Sequence, residues 1–296
     1  MITTGDWQAS LEPIAKKNHD MGLDEMPLPE LNMFYTPVSN AKLTETFVEL
    51  GDIATMGVHH GSINYANVKQ GYQFTVTANQ FSQGIKIEKL FVLADRQDIV
   101  TGLPNKLGVS ARRRQATDVL FPFNNAFNTS ITTLDGLQLC SAVHTSNNGG
   151  SNQSNRATSA LSALSVEAVR IRMTKFLSNT DERIQVNPDM LIVPTDLEEV
   201  AYEIIKSSGK VDTAQNNKNF HQGKYKLVVS PWLNDTNNWY MVDSNLMKKS
   251  MFWGWMQKLE SYRDKDFDTL AMKYADYMVY SYIPRDWRFL LGSEVS

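Results

Sequence analysis

The feature that most constrains the fold is the patterning between Thr44 and Leu93, where apolar and polar residues alternate around turn glycines. Ile63-Asn64-Tyr65 precedes Gly71, Tyr72-Gln73-Phe74-Thr75-Val76-Thr77 follows it, and Ile85-Lys86-Ile87 comes after Gly84. Side chains of a strand point alternately to opposite faces, so a period of two in β-branched and aromatic residues predicts strands that pair as a hairpin or small sheet. A lone hairpin is only marginally stable in water. Its apolar members therefore need cover from the body of the protein or from another copy, and a long two-stranded extension is the expectation.

The segments around it are of other kinds. Residues 1–40 carry Pro13, Pro27, Pro29 and Pro37, a density that argues against a long helix and predicts an extended arm whose Leu28, Leu31, Met33, Phe34 and Tyr35 require a partner surface. From Pro104 to Phe127 the spacing of Leu107, Ala111, Ala116, Val119, Leu120 and Phe123 predicts a helix, ending or kinking at Pro122 and bearing the cluster Arg112-Arg113-Arg114. Asn147 to Ser154 reads as a mobile polar linker. Beyond it, Leu161, Leu164, Ala168, Ile171 and Phe176 predict an amphipathic helix, and Met190-Leu191-Ile192-Val193 a buried strand. Thr195 and Glu198 suggest a capping box for a helix with an apolar face of Leu197, Val200, Ala201, Ile204 and Ile205, closing at Gly209. Strands are expected at Tyr225 to Val229, Trp239 to Val242 and Leu270 to Tyr282. The class is mixed, α+β, with no internal repeat.

Composition decides which functions such a chain can have. Of 296 residues 42% are hydrophobic and 21% charged, enough apolar material for sizeable cores and far from a disordered profile. A net charge of −3 excludes a molecule that is basic overall, so any contact with nucleic acid must be local. No apolar run reaches membrane-spanning length, and Met1 to Leu11 lacks a signal-peptide pattern, so a soluble, unexported protein is expected. Cys140 is the only cysteine, which rules out an internal disulfide and a multi-cysteine zinc site.

Candidate chemistry is sparse. No phosphate-loop, dinucleotide-binding, His-Glu-x-x-His or Gly-x-Ser-x-Gly pattern occurs. Asp135, Cys140 and His144 allow a cysteine hydrolase, because a thiolate needs a base and the base an orienting carboxylate, but a lone cysteine in Leu-Gln-Leu-Cys-Ser fits a buried small hydrophobe better. Adjacent His59 and His60 would point to opposite faces of a strand and read as loop histidines instead of a metal pair. The aromatic series Phe252, Trp253, Trp255, Tyr262, Phe267, Tyr274, Tyr277, Tyr280 and Tyr282 fits core and interface packing better than base stacking. No catalytic residue, metal or cofactor is expected.

One stretch carries a resemblance. Asp135-Gly136-Leu137-Gln138-Leu139-Cys140-Ser141-Ala142-Val143-His144, with the polar linker after it, resembles the Asp-Gly-x-x-Leu-x-Ser-x-x-His segment of Mu-like phage major head subunits. The likeness continues in order through Pro188 to Pro194, the helix from Leu197, Asn216 to Asn219, Val228 to Asp235 with Trp239-Tyr240, Lys265-Asp266-Phe267 and Asp286-Trp287-Arg288.

That resemblance implies the HK97-type phage capsid fold: an N-terminal arm over 1–45, a peripheral domain over 46–157 and 259–296, and an axial domain over 158–258. Within the peripheral domain it implies an extended loop at about 60–88 and a spine helix at about 104–128, with the terminal strand returning to that domain. Tyr65, Tyr72, Phe74 and Gln83 are then the expected inter-subunit contacts of the extended loop, and Arg112, Arg113 and Arg114 the lumen-facing contacts to DNA. It further implies a homo-oligomer of pentamers and hexamers forming an icosahedral shell around double-stranded DNA. Portal, scaffold or protease and decoration proteins would be partners, and the virion, assembled in bacterial cytoplasm and without a membrane, the destination. An encapsulin-like compartment enclosing enzymes is the alternative on the same fold.

Overall fold

In the computed structural model, the described residues are 7–53, 55–59, 61, 63, 65, 67–94, 96–209, 218–266 and 268–295. His60, Asn64, Asn216, Asn217 and Phe267 lie outside them. Along the chain come α1 (Trp7–Glu25), α2 (Pro29–Phe34), β1 (Thr36–Ser39), β2 (Thr44–Leu50), β3 (Gln70–Thr77), β4 (Asn79–Glu88), α3 (Lys89–Leu93), α4 (Gln97–Asn124), β5 (Arg156–Ala157) and α5 (Ala163–Met173). Then follow β6 (Met190–Val193), α6 (Glu198–Lys206), β7 (Lys226–Val229), β8 (Trp239–Val242), α7 (Ser244–Ser250), β9 (Met251–Asp266), β10 (Ala271–Pro284) and β11 (Leu290–Ser293). The mixed α+β class stands.

A four-stranded sheet, ordered β1-β9-β10-β4, is built on the long antiparallel hairpin β9–β10, whose register runs from Met251↔Pro284 to Asp266↔Ala271. Helix α4 packs on it through one buried carboxylate. Asp118 accepts hydrogen bonds from the hydroxyls of Tyr280 (2.6 Å) and Tyr282 (3.2 Å) and from the guanidinium of Arg114 (2.7 Å). Burial pushes the Asp118 carboxyl above its ordinary value, and these hydrogen bonds oppose that rise. Trp253 stacks on Tyr280 with ring centroids 4.6 Å apart, so this part of the aromatic series is core, as expected. Helix α4 begins at Gln97, ahead of the expected start at Pro104, and stops two residues after Pro122.

The expected extended arm is corrected: Trp7–Glu25 is a helix that tolerates Pro13. The other three prolines fall after it, with Pro29 in the first turn of α2, where its fixed φ and missing N–H suit a helix start. The lost bond at Pro13 is offset by packing on α4. A Cβ at Gly22 would come within 2.1 Å of the Asn105 carbonyl oxygen, and one at Gly108 within 2.4 Å of that of His19, so only glycines permit this approach. His19 also pairs with Asp276 of β10 at 2.8 Å.

The strand assignments in 70–88 hold, but their pairing is corrected. Strand β3 pairs with β2 from Thr44↔Thr77 to Leu50↔Gln70, whereas β4, entered through Ala78, pairs with β10. A period of two identifies strands but not their partners. Gln83 therefore lies opposite Asp276 in the four-stranded sheet and is not part of the projecting ribbon.

The second sheet, ordered β5-β11-β8-β6-β7, has β6, β8 and β11 wholly buried. Strand β10 pairs within the first sheet, whereas β11 crosses into the second. Helix α5 buries Val166, Val169 and Met173, while the predicted stripe of Leu164, Ala168 and Ile171 faces out. Both stripes have helical spacing, and the sheet behind decides between them. In α6 Ala201, Ile204 and Ile205 of the expected face are buried, but Val200 is exposed, and Thr195 makes no cap, because Thr195–Leu197 is a 3-10 turn. Residues 147–154 are tied down instead of loose: Ser151 binds Asp181 through its N–H (2.8 Å) and hydroxyl (2.9 Å), and the Gln153 side chain reaches the Leu177 backbone. One core runs from Phe34 and Phe123 through Trp253 to Leu191 and Trp239.

Candidate functional site

The β2–β3 ribbon is a two-stranded sheet of its own, apart from the two larger sheets. Its stem is held internally. Phe47, opposite Phe74, lies edge-on to Phe252 at 4.8 Å with the Arg285 guanidinium 5.4 Å from its ring. The Tyr72 hydroxyl is 2.8 Å from that of Thr145. Beyond the stem, the residues joining the strands expose apolar groups: Met56 is 95% exposed, Tyr65 90% and Val58 77%, with Ile53, Ile63 and Val68 also exposed. Of the four residues expected to contact a neighbour, Tyr65 sits at this tip, Tyr72 and Phe74 lie on the stem and are half-buried, and Gln83 lies elsewhere.

The register of the ribbon slips between Val48 and Leu50. The Asn179 side chain, 6% exposed, accepts from the Asp52 N–H and donates to the Glu49 carboxylate and the Leu50 carbonyl, each at 3.0 Å. Sequence reasoning missed this residue. The run Ser178-Asn179-Thr180-Asp181 could have marked a turn, but nothing in it announces a partner some 130 positions away.

The arginine cluster divides. Arg112 bonds the Leu23 carbonyl of α1 and the Gln115 side chain, and Arg114 binds Asp118 while covering the Phe81 ring at 4.5 Å. Arg113 is exposed and forms no ion pair among the described residues.

The three residues of the hydrolase reading do not make a nucleophile site. His144 spends one ring nitrogen on Asp135 (2.6 Å) and the other on the Asn155 side-chain oxygen (3.0 Å), and its ring stacks on Trp287 at 4.3 Å. Cys140 is fully buried with its thiol against Gly292, and burial pushes that thiol far above the range in which a reactive thiolate forms. Cys140→Ala is expected to cost about 1 kcal/mol of stability, as a small loss of packing, read by chemical denaturation. His59 is exposed, and no three His, Cys, Asp or Glu residues group as a metal site among the described residues. No helix among them is long and apolar enough to cross a membrane.

A family model described as "Phage capsid protein" matches residues 71–292. Among solved structures, the procapsid of bacteriophage JBD30 aligns with a TM-score of 0.55 and 12% identity over 98% of this chain and 76% of that one. The capsid of cyanophage P-SCSP1u aligns at 0.61 and 10% over 90% and 87%, and the capsid of a native GTA particle at 0.57 and 12% over 90% of each. These likenesses show an HK97-type capsid fold. No curated protein gave a significant match.

Proposed function

This chain belongs to the phage capsid protein family, whose members build shells and are not enzymes, and from that premise we propose that it is the major head subunit of a tailed phage of the Mu-like kind. Its copies gather into pentamers and hexamers and close an icosahedral shell around double-stranded DNA. The observation that carries this reading is the segment joining β2 and β3, the ribbon tip, where Met56, Val58, Ile63 and Tyr65 stand in solvent. Apolar groups so placed bury surface only against another molecule. A shell supplies that molecule at every position, and many modest contacts multiply when the surface closes. In this reading the four-stranded sheet with α4 is the peripheral domain and the five-stranded sheet the axial one. Portal, scaffold or protease and decoration proteins would act with it, and assembly would take place in the cytoplasm of a bacterial host.

The test is negative-stain electron microscopy with size-exclusion chromatography of the protein expressed alone and with its scaffold. Closed shells, rings or tubes of pentamers and hexamers are expected. A strictly monomeric or dimeric species under both conditions would sink the reading, and enzyme cargo in place of DNA would favour an encapsulin-like compartment.

Within that shell Arg113 is the member of the cluster left free to meet phosphate. Arg113→Gln is expected to lower the salt slope of DNA binding by about 1 and to spare empty shells. Arg112→Gln and Arg114→Gln should instead loosen α1 and the Asp118 network, which thermal unfolding of the subunit reads.

A further inference from the structure

We propose that Asn179 sets the angle at which the ribbon leaves the body, and with it the curvature at which neighbouring copies meet; this rests on the reading that the ribbon tip docks on another copy. A two-stranded ribbon has no third strand, so its direction is whatever its stem is fastened to. Phe47 on Phe252 and Tyr72 on Thr145 hold part of it, and at the slip in register a single amide makes three bonds. Asn179 accepts from Asp52 and donates to Glu49 and Leu50, bonds that straddle the slip in register, so swinging the ribbon about that point breaks at least one of them. The Gly51 N–H to Lys69 carbonyl bond (2.8 Å) closes the two strands against each other at the same level.

Asn179 is itself held from behind. Its carbonyl accepts from the Gly150 N–H (3.2 Å) and the Ser146 hydroxyl (2.5 Å). Asn148 of the same loop lies beside the strands: a Cβ on Gly71 would come within 2.8 Å of the Asn148 amide nitrogen and 2.6 Å of the Glu49 carboxylate, so a side chain there would push both of these side-chain ends aside. Two outlying bonds, Tyr72 to Thr145 (2.8 Å) and Thr55 to Glu182 (2.9 Å), join the ribbon to the same two loops. The ribbon is thereby aimed in the free subunit, before any neighbour arrives. In a closed assembly one interface geometry is repeated at every copy, and a small change of angle per contact changes how many copies close the surface.

Asn179 is a positioning residue in this account, and a role in stability alone would not move particle size. Asn179→Asp keeps the shape and the acceptor for Asp52, removes both donors and sets a carboxylate against Glu49. Adding Glu49→Gln returns a donor to that position. In unassembled N179D subunits, amide exchange at Leu50 to Asp52 should quicken roughly tenfold while the core strands stay protected, and particle diameters by electron microscopy should shift or broaden. The double variant E49Q/N179D should bring both back toward wild type, and N179A should behave as N179D.

Wild-type diameters in both N179D and N179A would overturn the proposal, as would altered diameters that E49Q/N179D does not restore. The tip variant M56S/Y65S separates the two levels of the argument. Loss of shells there with N179D unaffected leaves docking standing and removes the bracket, whereas normal assembly of the tip variant removes the docking reading and this inference with it.

Discussion

Replacing Met56, Val58, Ile63 and Tyr65 together by serine is expected to abolish shell formation while leaving the subunit folded. These side chains are exposed in the free chain, so their removal should change subunit stability by no more than about 0.5 kcal/mol each, the usual range for surface positions. At an interface the arithmetic differs. Full burial of each such side chain contributes about 1.5–3 kcal/mol, much of which is consumed by ordering and lost freedom on association. A net loss of even about 3 kcal/mol per contact shifts association roughly hundredfold, and a shell multiplies that loss over every copy. The measurement is the protein concentration at which particles appear by light scattering, beside urea unfolding of the unassembled subunit. Particles at the wild-type concentration would remove the tip from the interface.

His144→Ala is the substitution expected to cost most in stability, about 3–5 kcal/mol, because it strands a buried carboxylate. The Asp135 and His144 side chains are 6% and 1% exposed. Asn155 presents its oxygen to His144, and that orientation is fixed: the oxygen also accepts from the Ser141 N–H (2.8 Å), and the amide nitrogen donates to the Leu139 carbonyl (2.8 Å). The His144 ring is held between Asp135 on one nitrogen and Asn155 on the other. The motif Asp135 to His144 thus has a structural use, since it knots the loop after α4 to Asn155 and, through stacking, to Trp287 of the closing segment. A double-mutant cycle with Asp135→Ala should show the pair cost well below the sum of the singles, as expected for residues that share one interaction.

The acid side of this prediction follows from Asp135. Burial pushes its carboxyl up, but hydrogen bonds from His144, the Thr133 hydroxyl and the Leu137 N–H outweigh that and hold it below its ordinary value. A carboxyl depressed in the folded state contributes stability that is full above the unfolded value of about 3.9 and is lost as pH falls through the lower folded one. Wild type and H144A should therefore keep their full difference down to about pH 4 and converge only as pH falls further, through the lower folded value. Denaturation midpoints measured at about pH 7 and about pH 2 check this, and an equal gap at both would refute it.

How much was legible depended on the range of the interaction concerned. Strands β6, β8 and β10 were readable because a run of apolar residues or a period of two is a local property, and so was the body of α4, which nevertheless begins earlier than expected and runs through both Pro104 and Pro122. Helix α1 was not, since Pro13 argues against it locally and the glycine contact with α4 that stabilises it is invisible in a list of residues. On α5, Leu164 and Val169 offered equally good faces, and only the sheet behind selected the second. The tip residue Tyr65 could be nominated from an aromatic in a strand-like run, whereas Asn179 could not, because its three bonds join segments far apart in the chain.

By itself, then, the sequence determined the class of α4, α6, β6, β8 and β10 but not that of α1 or β9, together with the apolar material of the core, the absence of common catalytic motifs and, through the ordered likeness from Asp135 onward, the capsid family. Tertiary structure decided which strands pair, which helix face is buried, that β11 joins the second sheet and how the ribbon is aimed. The division has one physical cause: backbone preference and amphipathic period act over a few neighbouring residues, whereas pairing, burial and direction are settled by contacts whose partners the chain brings together only when it has folded.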